Sequence, residues 1–113
     1  MVSNRQKIGK LQYALDRLGY TVFYSTHQFR SDTQNRLITM HKLEHRVWDP
    51  KKERFRNEEI FSSASQIQVL LFLRNILFWL EGKDIPPLNN TKGAAVLEMK
   101  WKEFLSKNEK PPQ

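Results

Sequence analysis

The chain has 113 residues, 39% of them hydrophobic and thirteen of them aromatic; that length suits one domain with one core over residues 1–113, and that composition excludes a disordered chain. It has no cysteine, which excludes a disulfide framework and any cysteine zinc site. The net charge of +7 resides entirely in residues 1–56, where twelve Lys/Arg face five Asp/Glu, whereas residues 57–113 carry seven of each, and such segregation favours a polyanionic partner over a membrane surface.

No apolar run follows Arg5 and Lys7, so no signal peptide is read at the start of the chain. Ser3 with Gln6 makes a capping box, and Ile8, Leu11, Leu15 and Leu18 recur at helical spacing up to Gly19, which predicts a helix over about 4–18. Its outer side carries Arg5, Lys7, Lys10 and Arg17 against Asp16 alone. Thr21–Thr26 is β-branched and aromatic and predicts a first strand, followed by a polar separator from His27 to Asn35. Arg36–Trp48 predicts a second strand. Asp49-Pro50-Lys51-Lys52 is turn chemistry, and Arg54–Phe61 is the returning strand of a hairpin.

Ser63 with Gln66 repeats the capping-box spacing before Ile67–Leu80, a helix apolar over most of its circumference and therefore the expected spine of the core. Its apolar part, Val69–Leu80, is far below the roughly 18 residues needed to span a bilayer, so a soluble cytoplasmic protein is expected. A linker over 83–90 leads to a last helix, about Thr91–Lys107, with Ala94, Leu97, Trp101, Phe104 and Leu105 on one side, and then to a tail over 108–113. Trp101 and Phe104 make that helix the candidate face for a homodimer.

The expected fold class is thus α+β: αβββαα, a three-stranded antiparallel sheet with helices packed on one face. The αβββα order is that of double-stranded-RNA-binding-like folds, and a hairpin beside helices also fits a winged helix. These are likenesses of element order alone, because Ser62–Gln66 lacks the lysine cluster that double-stranded-RNA binders place at the start of that helix.

The hairpin carries the functional expectation. Strand alternation, with a five-residue loop over Asp49–Glu53, places Leu43, Val47 and Phe55 toward the core and Lys42, Glu44, Arg46, Trp48, Arg54 and Arg56 away from it. In that register Arg46 opposes Arg56 and Glu44 opposes Glu58, so the glutamates neutralise part of the patch. Lys51, Lys52 and Arg54 extend beyond them. The expected binding set is Lys42, Arg46, Trp48, Lys51, Lys52, Arg54 and Arg56, with Lys7 and Lys10 of the first helix as a second contributor. A basic two-stranded ribbon fits a DNA groove or a phosphate backbone, and Trp48 is placed to stack.

Enzyme chemistry finds little purchase. His41 and His45 share one side of a strand but not the HExxH spacing, the four glycines form no phosphate loop, and Ser62, Ser63 and Ser65 suit capping. Asp49, Glu53, Lys51 and Lys52 sit in a turn, where metal-assisted hydrolysis lacks rigid support. The expectation is a non-catalytic protein without cofactor or metal that binds nucleic acid, DNA in preference to RNA, and serves a plasmid, conjugative element or phage as an accessory. The rival is a module that docks the same basic face on an acidic protein.

Overall fold

The computed structural model describes residues 2–88 and 93–108, in the order α1 (Asn4–Arg17), β1 (Val22–Ser31), β2 (Arg36–Asp49), β3 (Arg54–Ser63), α2 (Gln66–Leu80) and α3 (Ala94–Lys107). The strands form a single antiparallel meander, β1-β2-β3. This is the expected α+β fold. The winged-helix alternative is set aside, because all three strands run consecutively between α1 and α2 and no hairpin stands as an appendage to a helical trio. Among the described residues no helix is long and apolar enough to cross a membrane.

Local chemistry explains α1 well. Ser3 Oγ accepts from the Gln6 amide at 3.1 Å and Gln6 Oε1 accepts from the Ser3 amide at 2.9 Å, so two N-terminal donors are satisfied reciprocally. Gly19 then adopts φ 83 and turns the chain into β1. β1 is longer than its apolar segment, because pairing runs without a break from Val22↔His45 to Ser31↔Arg36. His27, Gln28 and Arg30 therefore lie in a strand rather than a separator; both faces there meet solvent, so polarity does not oppose strand formation. Ser31 Oγ accepts from the Gln34 amide at 3.2 Å, and Asn35 at φ 47 closes the turn.

Val22, Leu43 and Phe61 are buried on one face of the sheet, against Ile8 and Leu15 of α1 and Val69, Phe72, Leu73 and Ile76 of α2. No residue from Gln68 to Leu80 is exposed, as the apolar circumference of α2 requires. Phe72 is the centre: its ring stacks on Phe61 at 4.4 Å and meets the rings of Trp101 and Phe104 edge-on at 5.5 and 5.6 Å. Trp101 and Phe104 are consequently core residues, which removes them as a dimer face; Val96, Met99 and Leu105 are what α3 exposes. Ser63 does not cap α2 either. Ser65 is the N-cap, without a side-chain bond, while Ser63 Oγ donates to Gln68 Oε1 at 2.9 Å and accepts from the Ser65 amide at 3.0 Å. α3 starts at Ala94, after Gly93 at φ 78. Parts of the expected linker and tail, 89–90 and 109–113, lie outside the described residues, as do 91–92 at the expected start of the last helix.

Candidate nucleic-acid interface

β2 is the organising strand. Its fourteen residues extend about 46 Å at roughly 3.3 Å each, longer than the helical layer can cover, so the β2–β3 hairpin protrudes past the start of β1. In residues 46–57 nothing is buried, and only Val47 and Asp49 are partly shielded. Five cations and two carboxylates give this arm a net charge of +3.

The register of the arm differs by one residue from the sequence expectation. Asp49 pairs with Arg54, Trp48 with Phe55, Val47 with Arg56 and Arg46 with Asn57, so the loop has four residues rather than five. Two local features set this. Asp49 Oδ1 accepts from the amides of Lys51 and Lys52 at 3.1 and 3.4 Å, and Glu53 takes up a left-handed conformation at φ 50. A bulge at Ile60 then restores the pairing of Leu43 with Phe61, so the buried end of the hairpin is unaffected.

A one-residue slip exchanges the faces of a whole strand segment. Phe55 is therefore outward, beside Trp48, and Arg54 and Arg56 lie on the helix-side face of the arm rather than the outer one. The expected repulsion between Arg46 and Arg56 does not arise. Arg46 instead lies over the Phe55 ring, its guanidinium carbon 3.9 Å from the centroid, and the Trp48 and Phe55 rings meet in a T with centroids 5.0 Å apart. Glu44 opposes Glu59, and Glu58 opposes His45. Neutralisation is partial: Arg56 pairs with Glu58 at 3.5 Å and Asp49 at 4.0 Å, and Lys42 pairs with Glu44 at 3.8 Å. Lys51, Lys52, Arg54 and Arg46 make no ion pair among the described residues.

The outer sheet face, which no described helix covers, continues away from the arm through Phe23 and Phe29, exposed by 41% and 43%, against 53% for both Trp48 and Phe55. Phe23, Phe29 and Phe55 were missed in the sequence. The preference for aromatic cross-strand pairs would have found Phe55, since pairing Trp48 with Phe55 is better than pairing two arginines. Lys7 and Lys10 stand apart. The C-terminal end of α1 is the one beside the arm, through Val22 and His45, and Lys7 is ten residues upstream of Arg17, about 15 Å along the helix.

His41 and His45 are occupied structurally. Gln66 Nε2 donates to the Tyr24 hydroxyl at 3.2 Å, which in turn shares a 2.6 Å hydrogen bond with His41 Nδ1, tying α2, β1 and β2 together. Burial lowers the His41 pKa below its ordinary value. His45 stacks on Tyr20 at 3.9 Å and donates from Nδ1 to the Thr21 carbonyl at 3.0 Å. Burial, then the charge of Glu58, raises the Tyr20 pKa. A groove of about 360 Å³ between β3 and α3 is lined by Glu58, Glu59, Lys100, Glu103 and Lys107, a mixed-sign set that suits no single charge class. Among the described residues no group of three or more His, Asp or Glu converges to hold a metal. No family model, curated protein or solved structure matches the chain.

Proposed function

We propose that the chain is a cytoplasmic, non-catalytic nucleic-acid-binding protein that contacts its ligand through the β2–β3 arm. The observation that carries this reading is the coincidence, on one protruding hairpin, of unpaired Lys51, Lys52 and Arg54 with the exposed Arg46–Phe55–Trp48 cluster. Phosphates require the cations, and bases or sugars require the rings. A non-catalytic role is supported by what the reactive side chains already do: Asp49 holds the turn, Ser63 bonds Gln68, and the Nδ1 atoms of His41 and His45 are engaged.

The rival occupant is an acidic protein surface, which would use the same cations but has no particular need of an aromatic cluster beside them. The deciding experiment is a fluorescence-anisotropy titration of nucleic acid across salt, with wild type and a Lys51→Ala, Lys52→Ala, Arg54→Ala variant. Binding should weaken steeply with salt in the wild type, and the variant should bind at least about tenfold more weakly at low salt. Equal affinities of the two proteins would reject the arm.

A further inference from the structure

We infer that the ligand class of this arm is single-stranded nucleic acid, with bases seated on the Trp48 indole and the sugar–phosphate chain running toward Lys51, Lys52 and Arg54. This rests on the nucleic-acid reading above and narrows it. In a duplex the base faces are stacked on one another, and a protein reaches only phosphates and groove edges. Exposed aromatic faces have partners only where bases are unstacked.

The geometry favours the second case. Trp48 and Phe55 are each 53% exposed although a sheet face next to the core offers ample apolar surroundings. Phe55 already carries Arg46 over its face at 3.9 Å, so it acts as the support that holds the indole at 70° to its own plane and places a guanidinium next to the platform. Trp48 is thus the stacking residue and Phe55 its positioning residue. Phe23 lies on the same uncovered face; its cross-strand partner Glu44 is four residues from Trp48, a separation of about 13 Å that leaves space for intervening nucleotides.

Charge gives the chain its direction. Along the sheet face Lys42 is bonded to Glu44 at 3.8 Å, Glu59 stands opposite Glu44, and Arg46 is held over the Phe55 ring. Three further cations without an ion pair among the described residues are at the tip: Lys51 and Lys52 in the turn and Arg54 at its exit. Phosphates are attracted there and bases are left to the rings. A second copy of this chain is a poorer occupant, because two such arms would bring like charge together.

The test compares an oligothymidylate of about 20 nucleotides with a duplex of the same length, by anisotropy at low salt, for wild type, Trp48→Ala, Trp48→Phe and the Lys51→Ala, Lys52→Ala variant. Wild type should bind the single strand more tightly by about tenfold or more. Trp48→Ala should lose roughly 5- to 150-fold on the single strand, the loss expected for one stacked base, and little on the duplex. Trp48→Phe should recover much of that loss, and the lysine variant should weaken both ligands. Equal or tighter duplex binding, or an unchanged single-strand affinity in Trp48→Ala, overturns the single-strand assignment while leaving the nucleic-acid reading intact. Absence of binding to both polymers removes both readings. A concentration-dependent dimer abolished by Trp48→Ala in sedimentation would assign the face to a second copy instead. Trp48 lies outside the core, so the variants should still unfold cooperatively in thermal melts, which secures the comparison.

Discussion

Two tyrosines with opposite hydrogen-bond status sit in nearly the same setting, each stacked on a histidine of β2. Tyr24 is hydrogen-bonded to His41 and accepts from Gln66, whereas the buried Tyr20 hydroxyl has no hydrogen-bond partner among the described residues. Tyr24→Phe should lower stability by about 1–2 kcal/mol, because it leaves His41 Nδ1 and Gln66 without their bond. Tyr20→Phe should be neutral or stabilising by up to about 1 kcal/mol, because it removes only an unsatisfied group. Urea unfolding of the pair checks this, and a larger loss for Tyr20→Phe would contradict it. His41 adds a pH dependence. Above the ordinary pKa of 6.5 its ring is neutral folded and unfolded, and its contribution is intact; as pH falls, the unfolded chain takes up the proton first and stability declines until the folded ring protonates too. The urea midpoint should therefore fall from about pH 7 to about pH 5 more steeply in wild type than in His41→Gln, and parallel profiles would refute it.

At the level of elements, what the sequence made legible was decided locally. The Ser3–Gln6 box, Gly19 and the all-round apolar face of α2 each act within a few residues, and they predict α1 and the spine of the core. The hairpin register does not behave this way. It depends on Glu53 adopting a left-handed conformation without the glycine or asparagine that usually signals one, and on a bulge at Ile60 seven residues away. One residue of slip was enough to send Phe55 outward and to separate Arg54 and Arg56 from Arg46, so the composition of the hairpin was readable in the sequence and the grouping of its side chains was not. The arginines now differ in a measurable way. Arg56 is engaged with Asp49 and Glu58, and Arg54 is unpaired. Arg54→Ala should flatten the salt dependence of nucleic-acid binding by roughly 0.7 to 0.9 in slope, one phosphate's worth, and Arg56→Ala by clearly less. Identical slopes for the two would argue that the ion pairs do not hold Arg56 back.

For the molecule as a whole, the helices and the arm have separate roles. Phe72 joins sheet, α2 and α3 through three aromatic contacts, so Phe72→Ala should cost about 3–5 kcal/mol and threaten the fold itself. The arm carries no buried residue, and substitution of Lys51, Lys52 or Arg54 should leave thermal stability within about 0.5 kcal/mol of wild type while changing binding. On the proposed reading, binding falls on the uncovered sheet face and the hairpin tip, and Lys7 and Lys10 lie on a distant part of α1. The three tryptophans provide the most direct test, since Trp48 is on the outer face, Trp101 is in the core and Trp79 packs edge-on against Phe104. In a proton–nitrogen correlation spectrum titrated with single-stranded oligonucleotide, the Trp48 indole signal should shift together with the amides of residues 46–57, while the Trp79 and Trp101 indoles stay in place. Shifts confined to α1, or a stationary Trp48 indole at saturation, would contradict the account.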